Sequence, residues 1–415
     1  MFNELYDRWK LKYVLIVAAL GFGLYFLTQL IIAHTSKNYG FYGTHYDFVA
    51  FYTAAKAFMT SGIHDVFNAA YMSDLQRQIV PHPIGAIGYM PFLNPPFVAV
   101  FISPLAWLGI NVARIAMLVL NLSMLGFVLT KLTAGIARRQ RLIIATLLLM
   151  TLPVYQTLVQ GQLSMFVLLG ATLSYIWFKD KKFLSGAALV LTWTITQFGV
   201  FVLAALIYKR EWKMVKGMLA ATAAVLLVTL PFTGVTIYFD YVRLLMTVTS
   251  NHFADMYTPT IYEWRGALEL SDGMNGFFTA ILGKRLHTLS NVLYVASGIA
   301  LVGYLVIKVR SAGQKLRHMQ GYYMFIAAIL VALLIDPHLF AQDIIVIYVI
   351  LPVLYKLYKG RELRVTLLFV ALCNLVYIDQ YIRFHLFTFV IFMGAIYSIK
   401  MALTPKKIPL NTKNI

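Results

Sequence analysis

Long apolar runs separated by short basic turns organise this chain. Apolar stretches at about 12–33, 112–131, 142–159, 162–178, 214–232, 289–309, 320–336, 341–356, 364–378 and 385–401 have the character of membrane-crossing helices. The turns between them carry Arg138, Arg139 and Arg141; Lys179, Lys181 and Lys182; Lys209, Arg210, Lys213 and Lys216; Lys308, Arg310, Lys315 and Arg317; and Lys356, Lys359, Arg361 and Arg364. Because Lys and Arg collect on the cytoplasmic side of spans, all five turns and both termini are assigned to the inside. The ten spans then alternate without conflict. The pattern predicts an all-α polytopic membrane protein: one transmembrane domain over 1–403 and a cytoplasmic tail at 404–415.

Two segments break the alternation. Residues 94–109, N-P-P-F-V-A-V-F-I-S-P-L-A-W-L-G, cannot be a full crossing, since that would put Arg138 to Arg141 outside. Their prolines and short length predict an interfacial or re-entrant helix. Residues 183–207 have basic clusters on both sides and must enter and return, bending near Gln197. Each arm reaches only about 18 Å at 1.5 Å per residue, so the segment is a short helical hairpin.

Composition excludes the alternatives to this class. With 60% hydrophobic and 12% charged residues the chain has too little polar surface to cover a soluble core. The first apolar stretch follows Arg8, Lys10 and Lys12 but lacks a cleavage site, so it reads as a retained helix. The single cysteine, Cys373, excludes an internal disulfide framework or a cysteine metal site. A net charge of +19 does not point to nucleic acid, because the cations lie in turns between spans. Most of the 16 acidic residues fall outside, whereas most of the 35 Lys and Arg fall inside. The candidate chemistry is therefore extracytoplasmic, on two long outer loops at about 34–93 and 233–288.

The first loop opens with H-Y-D-F-V-A-F-Y, which places Asp47 at a helix N-cap. Phe48, Phe51, Tyr52, Ala55, Phe58 and Met59 follow at helical spacing, as in a helix lying on the membrane surface. Asp47 can cap this helix and also serve as a rigidly held carboxylate. Gln160, Gln162 and Ser164 flank Gly161 between two spans and read as solvated turn residues. Gln197, at a hairpin apex, needs a partner for its amide. Y-E-W-R-G-A-L-E supplies Arg265, suited to a phosphate, or to an ion pair with Glu263, Glu269 or Asp255. D-P-H-L-F-A-Q-D crosses between two spans with Asp336, His338, Gln342 and Asp343. No metal is expected there, because hard cations want more oxygen ligands. Asp379 is expected to pair with Arg383 at i, i+4.

These segments, in this order, resemble glycosyltransferase family 87: D-F-V-A-F-Y-T-A-A-K-A-F-M-T-S-G, N-P-P-F-V-A-V-F-I-S-P-L-A-W-L, G-Q-L-S, the hairpin with Gln197, W-R-G-A-L and D-P-H-L-F-A-Q-D, over roughly residues 40–345. The resemblance implies a GT-C-like helical bundle in the inner (plasma) membrane that uses a polyprenyl-phosphate sugar as donor and no further cofactor. It implies inverting transfer of a hexose or pentose to an extracytoplasmic glycolipid or glycan. Asp47 would be the general base; Arg265, His338, Gln197 and Gln162 would hold the donor phosphate or sugar; His45, Tyr52, Asn94, Asp336 and Asp343 would support them. The chain departs from the family pattern at Ile195-Thr196-Gln197, where Lys-Pro-Gln is common, at Asn94-Pro95-Pro96 for Tyr-Pro-Pro, and at Asp336-Pro337-His338 for Ser-Pro-His. The competing classes are a lipid-linked substrate transporter or flippase and a non-catalytic assembly subunit. A transporter should show repeated halves and midplane ionisable groups, and the spans here are nearly uncharged at their centres.

Overall fold

The computed structural model describes residues 9–35, 46–80, 90–249, 273–282, 286–311, 318–336, 339–382 and 385–403. Among these there is no strand. His45, Arg265 and His338, the 404–415 tail and the centre of the second outer loop lie outside the described residues.

Every expected span is occupied by helix. The long ones are α1 (Trp9–Thr35), α5 (Ile110–Leu132), α11 (Trp212–Thr233) and α14 (His287–Ser311). These four are long and apolar enough to cross a membrane, and their neighbours α6 (Arg138–Leu149) and α7 (Leu152–Val159) together make a fifth, bent by 65°. The other expected spans are α8 (Ser164–Trp177), α15 (His318–Leu334), a 3-10 run Asp343–Ile350 continuing into α16 (Leu351–Leu357), α17 (Glu362–Ile382) and α18 (Leu386–Leu403). Several are shorter than the sequence pattern suggests. At 14 residues, α8 spans about 21 Å, less than the roughly 30 Å hydrocarbon thickness. Outward faces are apolar: Val14, Val17, Leu20, Leu24, Leu27 and Ile31 on α1, and Val292, Val295 and Ile299 on α14, are exposed. A soluble helix would put charge there; a bilayer explains it.

The bend between α6 and α7 has an identifiable cause. Pro153 has no amide hydrogen, and its ring excludes the carbonyl four residues back. The groups this frees are satisfied from other helices. Asn374 on α17 accepts from Leu152 N–H (2.8 Å) and donates to Met150 O (3.1 Å). Tyr348 donates to Leu148 O (2.7 Å) and meets Thr151 Oγ1 at 2.6 Å. Around this point lies the core: all eight residues of the Asp343–Ile350 run are buried. It packs against α7, α8, α15 and α16.

Both irregular segments form. Residues 96–107 are a short helix, α4 (Pro96–Ile102), tightening into a 3-10 turn, Ser103–Trp107. The hairpin consists of α9 (Lys182–Ala188), a 3-10 stretch Leu189–Thr194, a break at Ile195, and α10 (Thr196–Tyr208). α9 packs closely on α11 because both present glycine. A Cβ on Gly186 would lie 2.0 Å from Met214 O, and one on Gly217 2.0 Å from Phe183 O.

The expected surface helix is corrected. Helix α2 (Tyr46–Thr60) is buried on more than one face, with Phe48, Val49, Ala50, Phe51, Tyr52, Ala54, Ala55 and Ala57 all inaccessible. It is covered by α3 (Ala69–Ile79), the 3-10 turn Ile63–Phe67, α4 and the Ser103–Trp107 turn. Its alanines permit close approach from several sides. Asp379 accepts from Leu386 N–H (2.7 Å) and Phe387 N–H (2.6 Å), anchoring the start of α18. Arg383 lies outside the described residues.

Candidate active site

Asp47 lies in the first turn of α2, one residue inside its start, where the helix dipole favours a carboxylate. Its partner comes from the turn between α7 and α8. Gly161 takes a left-handed φ of 61°, and a Cβ there would lie 3.0 Å from Phe48 Cδ2. Only glycine combines that backbone with so close an approach to α2. The turn delivers Gln162, whose Nε2 donates to Asp47 Oδ2. Gln162 also donates to Gln160 Oε1 (3.3 Å), and Gln160 donates to Gln156 Oε1 (2.8 Å). From mid-span on α5, the buried Asn121 donates to Gln162 O (3.3 Å) and fixes the turn.

Solvated turn residues were expected at 162 and 164. Instead Gln162 and Ser164 are buried, because the turn is roofed by α2 and backed by the Asp343–Ile350 run. Ser164 Oγ donates to Asp343 Oδ1 at 2.6 Å. Asp343 Oδ2 accepts from Phe340 N–H at 3.4 Å. Two carboxylates from positions far apart in sequence, Asp47 half-buried and Asp343 buried, are thus each held by a polar residue of the same short turn. Burial is the main reason that Asp47 is pushed up to about 7, the negative charge of Asp343 adds to it, and the Gln162 hydrogen bond opposes it. A carboxylate so placed can accept a proton near neutral pH.

A second polar node forms at Asp336. Gln197, at the start of α10, donates to Asp336 Oδ1 (3.4 Å), and Tyr294 donates to Ile335 O (2.8 Å). Asp336 is completely buried. Gln197 therefore has the partner that its place at the hairpin bend demanded. Asn94 and Tyr52 are engaged with backbone: Asn94 Nδ2 donates to Thr194 O (2.7 Å) and Tyr52 OH to Leu108 O (2.8 Å). Thr196 meets Tyr241 OH at 2.6 Å, and that hydroxyl contacts Leu93 O at 3.3 Å. These contacts tie the stretch leading into α4, the hairpin bend and α12 (Thr236–Thr249) together.

The structure thus joins Gln162 to Asp47 and, through the same turn, Ser164 to Asp343, and separately Gln197 to Asp336, while Tyr52 and Asn94 brace the surrounding elements. Sequence reasoning read Ser164 as a solvated turn residue and passed over Asn121. A lone asparagine in an apolar span was the available signal for the latter. No group of three or more His, Cys, Asp or Glu that could hold a metal occurs among the described residues.

No curated protein and no solved structure matches the chain. The profile of glycosyltransferase family 87 matches residues 92–337, more than half of the 415. The matched region takes in Gln162, Ser164, Gln197, Arg265 and Asp336, whereas Asp47, His338 and Asp343 lie beyond it. The all-helical fold, its apolar outward faces and the breadth of this match agree: the chain belongs to glycosyltransferase family 87 and is a membrane glycosyltransferase.

Proposed function

We propose that this glycosyltransferase moves a hexose or pentose from a polyprenyl-phosphate sugar to an extracytoplasmic glycolipid or glycan with inversion, and that Asp47 is its general base. The observation that carries the reading is the half-buried Asp47, held by Gln162 and raised to about 7. A base works best when its pKa lies near the working pH. Asp47 takes the proton from an acceptor hydroxyl as that oxygen forms its bond to the anomeric carbon. The bond from that carbon to the phosphate oxygen breaks, and polyprenyl phosphate leaves. An already activated phosphate ester asks the protein for positioning, one base and charge at the departing group. Arg265 and His338 take the last role, and Gln197 beside Asp336 helps bind the sugar. The basic turns face the cytoplasm, so the site opens on the extracytoplasmic side of the inner membrane.

The test is transfer by purified protein from a panel of polyprenyl-phosphate sugars, with Asp47→Asn beside the parent. The variant is expected to lose about 10²-fold or more in kcat. Parent-like turnover by D47N would remove Asp47 as the base, and no consumption of any donor would remove the polyprenyl-phosphate assignment. Arg265→Ala is expected to raise the KM for donor more than that for acceptor, and equal changes would take Arg265 out of the donor site.

A further inference from the structure

We infer that Asp343 is a positioning residue for the transfer: fixed by Ser164 and Phe340, it sets the proton affinity of Asp47 across the turn that holds them both. This rests on Asp47 being the base. Ser164 Oγ, 2.6 Å from Oδ1, and Phe340 N–H, 3.4 Å from Oδ2, occupy both oxygens of Asp343. Gln162, two residues from Ser164, holds Asp47. One rigid turn, set by Gly161, therefore fixes both carboxylates relative to each other. The interior offers little screening, so the second charge acts strongly on the first. Like charges in one site do not ionise independently, and the pair carries its last proton to higher pH than either acid would alone.

The neighbours leave Asp343 as the charge that acts on Asp47. Around α2, Arg114 on α5 donates to Ala33 O (3.2 Å) and His34 O (3.3 Å), and Arg77 on α3 pairs with Asp74. Lys56, His64 and Asp65 lie two turns or more along the chain from Asp47. Around Asp343, α7 and α8 bear no charged residue, while His318 of α15 and Lys356 of α16 sit at the far ends of their helices. His45 and His338 adjoin the pair in sequence and lie outside the described residues, so the experiment must separate them.

The experiment is the pH profile of kcat/KM for the full-length protein in detergent or proteoliposomes. The probe is whichever polyprenyl-phosphate sugar the parent consumes. In Asp343→Asn the acid limb is expected to fall by about one pH unit, with a plateau kcat about threefold to tenfold lower as the base weakens. Asp343→Glu is expected to return the limb toward the parent's position. If D343N does not fold, Asp343→Ser supplies the neutral side chain, with the same shift expected. A limb that stays at the parent's pH in the neutral variant overturns the inference. So does a limb that moves in H45Q or H338Q and not in D343N. An active D47N would instead defeat the base assignment itself; an inactive D47N with an unmoved limb in D343N defeats only the role of Asp343.

Discussion

Asp47 couples function to stability through one shifted proton equilibrium. Its carboxyl moves from 3.8 to about 7 on folding, so the native state holds the proton more tightly than the unfolded chain. Its contribution to stability is thus fully present below about pH 4 and lost as pH rises through about 7. Asp47→Asn cannot ionise and escapes that loss. The thermal midpoint of the parent is expected to fall relative to D47N between about pH 4 and pH 7, followed by unfolding in detergent; parallel curves would mean that Asp47 titrates as it does in the unfolded chain. The kcat/KM of the parent should rise over the same range and flatten above it, because only the ionised form accepts a proton. Gly161 tests the turn that presents Gln162. Gly161→Ala must accept a φ of 61° and a methyl 3.0 Å from Phe48, at an expected cost of about 1 kcal/mol or more and with reduced transfer. The residue types at positions 47, 162 and 343 were readable as polar groups near span ends. Their pairing was not, since position 162 looked like an ordinary turn residue until burial removed water as a partner, and nothing in the sequence joined position 343 to that turn.

At the scale of elements, breaks in helices need partners elsewhere. The α6–α7 bend uses Asn374 to satisfy one amide and one carbonyl. Asn374→Leu leaves both buried groups unpaired and is expected to cost about 2 kcal/mol or more, read as a lower unfolding midpoint; an unchanged midpoint would show that other groups or water satisfy the bend. The α9–α11 contact depends on the absence of a side chain. Gly186→Ala puts a methyl 2.0 Å from Met214 O, and no rotamer relieves a contact between Cβ and backbone. The hairpin should then separate from α11, carrying Gln197 away from Asp336, with loss of yield or of transfer. The hairpin itself was legible because basic clusters on both sides forced a return within a short apolar segment. The burial of α2 was not legible, because periodicity identifies an apolar face but not how many neighbours will cover it.

Across the whole molecule, short contacts sort the chain into two ends. At one end Gln140 reaches Glu362 (3.4 Å), Lys356 reaches Tyr175 (2.8 Å), Lys182 pairs with Glu211 (2.6 Å) and Tyr208 donates to Val306 O (3.1 Å). These contacts link all five basic turns that charge counting grouped together. The contacts of Asp47, Asp343, Gln197 and Asn94 form the other end. Impermeant thiol labelling of intact cells tests which end faces out, using single cysteines at Asp74 and Lys359, since the native Cys373 is buried. Labelling is expected at position 74 in intact cells, and at 359 only after permeabilisation; the reverse would invert the orientation. Hydropathy and charge act locally against bilayer and water, so the helical membrane class, the grouping of the basic turns, the two irregular segments and the list of polar candidates could all be read along the chain. Which candidates meet depended on the packing of the helices. Gln162 joins Asp47, Ser164 joins Asp343 and Gln197 joins Asp336, because a polar group removed from water must take whatever partner the packing of distant helices brings within reach.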